Sequence, residues 1–258
     1  MPTLQRPDGT RIAWREAGDG QPVAIANIGY AHAGVLQGLI DELASDHRVV
    51  AYDPRGTGES SRHGPYEIEL DAEDLIAVLE AAGVAAAVAI GNGDGADRAI
   101  LAARRRPDLI ATVAVTGNLA LSGGEEGLAS SGSVLKALVT LLENDFRTGL
   151  HAMFGPGNPE LDEAAQHERV EQTVAHCAQE AAIGRIRAWI DNDPTEPARA
   201  LGDRLWVLGF ETNPWFTGGQ RARDVLPEAH HRHVADGPMS RPDLTAEAVR
   251  ALTRTAAR

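Results

Sequence analysis

A glycine-rich turn at residues 91–95 carries the clearest chemical signal in the sequence. The segment Gly-Asn-Gly-Asp-Gly directly follows the apolar run 84–90 and precedes a stretch with helical periodicity. Two kinds of site use such a strand-to-helix turn. One is the dinucleotide fingerprint G-x-G-x-x-G/A, which Gly91, Gly93 and Ala96 satisfy. The other is the nucleophile elbow G-x-Nu-x-G, where flanking glycines allow a strained turn between the strand and the helix.

The residues that follow the turn favour the elbow. Dinucleotide binding requires an acidic residue at the end of the next strand, to accept a hydrogen bond from the ribose. The next predicted strand, 111–116, is followed by Gly117 and Asn118, and neither is acidic. No cysteine and histidine stand at metal-ligand spacing either. We therefore expect neither a nucleotide cofactor nor a metal.

Several motifs resemble those of the α/β-hydrolase family. Residues 53–60, DPRGTGES, resemble the D-x-R-G-x-G-x-S turn that follows the fourth strand in that family. Residues 28–30 lie where the family has His-Gly and an oxyanion-hole residue. Residues 207–214 resemble the strand whose loop delivers the catalytic acid, and residues 240–244 resemble the segment just after the catalytic histidine. The resemblance extends over nearly the whole chain.

The order of predicted elements fits this resemblance. Apolar runs that alternate with helix-period segments predict βαβ units and an α/β fold with a mainly parallel sheet. Residues 3–6 and 11–16, on either side of an Asp-Gly turn, predict an antiparallel hairpin at the sheet edge. Strands disappear between residues 119 and 200. We therefore predict a core domain of residues 1–118 and 201–258, with a helical cap inserted at 119–200.

The positions of the family's catalytic triad hold residues that lack its chemistry. The resemblance places the nucleophile at Gly93 and the acid at Asn213, with an alternative acid position at Asn118. The histidine should lie in residues 235–240, which contain none. Acyl transfer by a triad needs a hydroxyl nucleophile, an imidazole base and an orienting carboxylate. We therefore expect no ordinary serine-hydrolase chemistry.

An oxyanion hole could remain at the elbow. The amide of Asp94 opens a helix, where negative charge is favoured, and the amide of Tyr30 could be the second donor. We expect the missing side chain at Gly93 to enlarge a pocket beneath the cap. The predicted substrate-binding residues are Gly29, Tyr30, Asn92, Gly93, Asn118, Asn213, Trp215 and Asp236.

Two side chains are candidate catalytic residues, and each has a structural alternative. Asp94 adjoins the hole and could act as a base or an orienting group. We refer to residues 28–30 as the oxyanion loop. His32 lies just past this loop and could act as a general base, or it could cap the helix that follows. We expect Asp97, the other acid at the elbow, to pair with an arginine such as Arg98 or Arg104.

Three function hypotheses remain open. The first is an enzyme with non-hydrolytic chemistry, such as a biosynthetic cyclase, lyase or isomerase that acts on a carbonyl-bearing small molecule. The second is a non-catalytic binder of small molecules or a partner subunit. The third is a hydrolase with a relocated triad. A polar pocket side chain with a perturbed pKa would favour an enzyme.

Composition restricts the partners. The chain has 258 residues, with 24 basic against 37 acidic residues and a net charge of −13. A basic face for nucleic acid is therefore not expected. The apolar runs are far shorter than the ~20 residues of a membrane span, and the start shows no signal-peptide pattern. We therefore expect no membrane association. Cys177, the single cysteine, cannot form an internal disulfide, so a cytoplasmic location is expected. A small-molecule ligand is the expected partner, and a homo-oligomer is compatible with the sequence.

Overall fold

The computed structural model describes residues 1–117, 119, 121, 128–157, 162–210 and 218–256. Eight strands form one sheet in the order β1-β2-β4-β3-β5-β6-β7-β8. The pairs β1–β2 and β2–β4 are antiparallel, and the other pairs are parallel. The strands are β1 Thr3–Gln5, β2 Arg11–Ala17, β3 Gln21–Ala26, β4 His47–Tyr52, β5 Ala87–Asn92, β6 Ile110–Thr116, β7 Leu205–Phe210 and β8 His230–Val234. The predicted parallel sheet with an antiparallel N-terminal hairpin is confirmed.

Helices cover both faces of this sheet. They are α1 Gln37–Leu43, α2 Ile68–Ala81, α3 Gly95–Arg105, α4 Leu128–Asn144, α5 Phe146–Gly157, α6 Glu163–His176, α7 Gln179–Asp191, α8 Thr195–Arg199, α9 Gly218–Val225 and α10 Pro242–Ala256. We refer to α4–α7 as the cap helices. In the part of the chain that the structure describes, no helix combines the length and apolarity needed to cross a membrane.

Alternation along the buried strands divides the core into two layers. In β3, Ala24 and Ala26 face a cluster that includes α2 and α3, whereas Val23 and Ile25 face a cluster that includes α1 and α10. Successive side chains of a strand point to opposite faces, so a strand covered on both sides must be apolar throughout. The carboxyl ends of the parallel strands then meet at one edge of the sheet, where the elbow lies.

The start of α2 differs from the sequence prediction. Asp is a favoured helix cap, and its place before a helix-period stretch predicts that Asp71 caps this helix. The helix instead begins one turn earlier, and Glu67 occupies the cap position. Asp71 is buried, and its carboxylate binds the guanidinium of Arg185. The capping prediction was wrong because a long-range ion pair uses this carboxylate.

Ala86 carries a local backbone strain that a substitution can release. It is the one non-glycine residue with a positive φ, +53°, in the described chain, and it is exposed just before β5. A left-handed conformation costs a side-chain-bearing residue about 1–2 kcal/mol, partly offset by the entropy that alanine saves in the unfolded state. We expect Ala86→Gly to stabilise the protein by about 0.5 kcal/mol in urea unfolding. The control Ala85→Gly should destabilise it, and a loss of stability with Ala86→Gly would contradict the prediction.

Candidate functional site

The elbow is a tight turn between β5 and α3 with Gly93 at its apex. Gly93 has a φ of +58°. Its N–H donates to the carbonyl of Thr116 on the neighbouring strand, at 3.0 Å, and its carbonyl accepts from the N–H of Ala96, also at 3.0 Å. The turn is therefore held both by β6 and by the first turn of α3. This is the strained strand-to-helix geometry of a nucleophile elbow.

The flanking glycines are required by close backbone approaches. A Cβ on Gly91 would lie 2.5 Å from the Cα of Ala96, and a Cβ on Gly95 would lie 2.0 Å from the carbonyl oxygen of Ala26. Any side chain at either position would collide with backbone, which cannot move aside as a flexible side chain can. Glycine is therefore needed at both positions, because α3 begins directly against the turn and the turn lies directly against the end of β3.

The space above Gly93 is not open on the side of the oxyanion loop. A Cβ on Gly93 would lie 2.6 Å from Cγ1 of Ile28 and 3.2 Å from its Cδ1. We expected the missing side chain to enlarge a pocket, but Ile28 takes the place of that side chain. Asn118, Asn213 and Trp215, which we predicted to bind substrate, lie outside the described residues.

The oxyanion loop presents one occupied and one unoccupied amide. The N–H of Gly29 donates to Oδ1 of Asp94 at 2.8 Å. The N–H groups of Tyr30 and Asp94 have no hydrogen-bond acceptor among the residues that the structure describes. Each of these amides is therefore available to an acceptor from outside the described residues.

The Asp94 carboxylate joins the elbow to the oxyanion loop. Oδ1 accepts from Gly29, and Oδ2 lies 3.4 Å from Nη2 of Arg98, one turn further along α3. The side chain makes no capping hydrogen bond to its own helix. The Asp94 carboxylate therefore holds the amide of Gly29, and its predicted role as a catalytic base or orienting group stays a prediction.

Asn92 belongs to a buried amide network that supports the same loop. Its Nδ2 donates to Oδ1 of Asn27 at 3.1 Å, and its Oδ1 accepts from Oγ1 of Thr116 at 3.1 Å. Asn27 also accepts from the N–H of Ile28 and donates to the carbonyl of His32. Asn27 was not among the predicted site residues, although a polar residue at the end of an apolar strand was a usable signal. Binding of substrate by Asn92 stays a prediction.

His32 serves as a cap. Its Nδ1 accepts from the N–H of Gly34 at 3.2 Å, at the start of a 3₁₀ turn over Ala33–Leu36. Burial and the neighbouring His176, whose ring centre lies 4.5 Å away, lower the pKa of His32. A neutral ring that accepts at Nδ1 carries its proton on Nε2. In this tautomer Nε2 can donate but cannot accept a proton, so the geometry does not support the general-base role predicted for His32.

The predicted partner of Asp97 was wrong. Oδ2 of Asp97 accepts from Nδ2 of Asn192 at 2.7 Å, and Arg98 lies instead against Asp94. Four residues separate Asp94 from Arg98 on the helix, which puts both on one face. Burial raises the pKa of Asp97 to about 7, and the nearby charge of Asp94 adds to that increase.

This raised pKa predicts a pH dependence of stability. The folded protein keeps a proton on Asp97 that the unfolded chain, with a pKa of about 3.9, has already released. The free energy of unfolding should therefore fall by about 2 kcal/mol from about pH 5 to about pH 7, and remain lower above that range. Urea unfolding of Asp97→Asn should lack this decrease, whereas the exposed control Asp191→Asn should keep it. The same decrease in Asp97→Asn would show that another group titrates.

Asp236 lies away from these contacts. It follows β8 and is half-buried, and its Oδ1 accepts from the N–H of Gly237 at 2.7 Å. Within the described chain it forms no hydrogen bond with the elbow or the oxyanion loop. The structure thus brings together five of the predicted site residues: Gly29, Tyr30, Asn92, Gly93 and Asp94.

The family of the chain follows from a comparison with known families. The sequence model of the alpha/beta hydrolase fold matches residues 27–181, which include the oxyanion loop, the elbow and most of the cap helices. The chain belongs to the α/β-hydrolase fold family. The expected family is thereby confirmed.

Curated relatives in this α/β-hydrolase family match only part of the chain. A protein named putative carbamate hydrolase RutD, from Azorhizobium caulinodans, is 32% identical over 108 residues, 42% of this chain and 41% of that protein. A protein of the same name from Caulobacter segnis is 36% identical over 70 residues, which are 26% of each chain. The chain thus aligns with less than half the length of these relatives.

Solved α/β-hydrolase structures match nearly the whole chain. An esterase from Exiguobacterium antarcticum has a TM-score of 0.82 and 15% identity, and the match covers 99% of both chains. A bromoperoxidase from Bacillus anthracis has a TM-score of 0.79 and 16% identity over 96% of both chains. At such low identity, these similarities establish the fold alone.

Proposed function

We propose that the chain binds a carbonyl-bearing small molecule at the elbow and stabilises negative charge on its oxygen without a covalent bond to residue 93. The observation that supports this most directly is the pair of amides of Tyr30 and Asp94, which lack an acceptor among the described residues. Preorganised donors of this kind stabilise a developing oxyanion strongly, because they need no reorganisation during the reaction. Gly93 has no side chain and supplies no nucleophile.

Two reaction classes fit such a site. In the first, a cyclisation, elimination or isomerisation, the amides would stabilise an enolate, and the glycine at position 93 favours this class because no nucleophile competes. In the second, water attacks the carbonyl carbon directly. The relatives named carbamate hydrolase favour hydrolysis. Hydrolysis is therefore a stronger hypothesis than the sequence alone indicates. A carbamate also carries the carbonyl oxygen that the two amides would bind.

Small carbonyl probes can test the binding site. We propose to titrate ¹⁵N-labelled protein with ethyl carbamate, ethyl acetate and cyclohexanone, with tert-butanol as a control that lacks a carbonyl. The amide resonances of Tyr30 and Asp94 should shift with the carbonyl probes and stay in place with the alcohol. Shifts confined to residues away from the elbow would contradict the proposal.

Isotope labelling separates the two reaction classes. Native mass spectrometry of freshly purified protein would identify any organic molecule that remains bound. Incubation of that molecule with the protein in H₂¹⁸O should place ¹⁸O in a carboxylic acid product if water attacks an ester or amide carbonyl, whereas hydrolysis of a carbamate should release carbon dioxide together with ammonia or an amine. A product formed without either outcome would indicate non-hydrolytic chemistry, and recovery of unchanged molecule would indicate a binding protein.

A further inference from the structure

Arg185 of cap helix α7 is buried against the core of the protein. Its two terminal nitrogens bind the carboxylate of Asp71 on α2, and Nη2 also donates to the carbonyl of Arg55 at 2.9 Å. The ring of Tyr66 lies 5.6 Å from the guanidinium carbon. Only 2% of the side chain of Arg185 is exposed. One cap residue therefore binds two separate segments of the core.

The same side chain lies against the oxyanion loop. A Cβ on Gly29 would lie 2.3 Å from Cδ of Arg185, 3.1 Å from its Nε and 2.6 Å from Oδ2 of Asp94. The Arg185 side chain and the Asp94 carboxylate thus meet at the Cα of Gly29. Nε of Arg185 is buried and has no hydrogen-bond partner among the described residues. Its positive charge lies beside the carboxylate that holds the amide of Gly29.

Arg98 completes a network of buried charges. It is fully buried, with Nη2 3.4 Å from Oδ2 of Asp94 and Nη1 3.6 Å from Oδ2 of Asp71. Asp71 is thereby shared between Arg98 and Arg185. Charges attract strongly where water is excluded, so displacement of one member changes the position of the others.

We propose that Arg185 is a positioning residue that couples docking of the cap to the geometry of the oxyanion hole. By packing on Gly29 and placing its charge beside Asp94, it fixes the loop that presents the amide of Tyr30. Displacement of α7 removes this support and frees the Gly29 amide from Asp94. The proposal rests on the proposed function for its chemical meaning, but its test needs no ligand.

The test follows the Gly29 amide in the ¹⁵N-labelled protein. Arg185→Met keeps most of the length of the side chain and removes its charge, and we expect hydrogen exchange at Gly29 to become about tenfold faster, with a shifted resonance. The control Arg187→Met lies on the same helix, where its guanidinium pairs with Glu143 at the surface. It should change exchange at Gly29 by less than about twofold. Unchanged exchange at Gly29 in a folded Arg185→Met protein would overturn the proposal.

A second variant tests the coupling from the other side. Gly29→Ala places a methyl group where Cδ of Arg185 lies, so it should shift the resonances of α7 around Gly184 and speed their exchange. Because Cδ of Arg185 lies against Gly29, a change on the loop side of this contact should also reach α7. A response confined to the loop would overturn the proposal even if Arg185→Met does not fold. Failure of the carbonyl titration with these effects present would reject the proposed function alone.

Discussion

Wild-type protein should form no adduct with a fluorophosphonate, and it should release p-nitrophenol from p-nitrophenyl acetate without an acyl-enzyme burst. The reason is the apex of the elbow, where Gly93 offers no atom that can be acylated. Removal of a triad reduces the rate by about 10⁶-fold, which leaves only the contribution of the oxyanion hole and of binding. Intact-mass spectrometry after prolonged incubation, with a parallel spectrophotometric assay, measures both effects.

An esterase of the same fold serves as the positive control, since it should gain one phosphonyl group and lose its activity. Ser60 is the serine of the D-x-R-G-x-G-x-S turn, and its hydroxyl donates to the carbonyl of Asp53 and accepts from the N–H of Ala13. It is buried and occupied in structural bonds, so it should remain unmodified. A phosphonyl group on any serine, together with loss of ester turnover, would demonstrate a relocated nucleophile.

The features that the sequence predicted well are those set by local spacing. The elbow could be predicted because its glycine spacing lies within one short segment, in which Gly91 must leave room for Ala96 five positions later. The alternation of apolar strands and helices predicted the sheet for the same reason. The vacant nucleophile position followed directly from the residue type at Gly93.

The features that the sequence could not predict depend on side chains brought together over long distances. Ile28 lies more than sixty positions before Gly93 in the sequence. Only the direction of its side chain shows that it fills the space where a side chain at position 93 would lie. The contact of Arg185 with Gly29 joins a cap helix to the loop after β3. The pairing of Asp94 with Arg98 was accessible from helical periodicity, since side chains four positions apart share a face. The prediction instead paired Asp97 with a nearby arginine such as Arg98 or Arg104.

Gly93→Ala should destabilise the protein by about 3 kcal/mol, from a positive φ and from crowding against Ile28. The two contributions can be separated. Gly202 has a φ of +55°, and a Cβ added there would have nothing within 4 Å, so Gly202→Ala measures the backbone contribution alone. We expect about 1 kcal/mol for that control in urea unfolding.

The remaining ~2 kcal/mol is assigned to Ile28, and a double-mutant cycle can measure it. In an Ile28→Ala background, the destabilisation by Gly93→Ala should fall to about that of Gly202→Ala, because Cγ1 and Cδ1 of Ile28 are gone.

Gly93→Ser should destabilise the protein about as much as Gly93→Ala does. It should remain without esterase activity, since the described residues place no imidazole base at the elbow. If Gly93→Ala costs no more than Gly202→Ala in the native background, Ile28 moves aside without penalty. The side of the elbow that faces Ile28 would then offer the additional space that the residue type at Gly93 predicts.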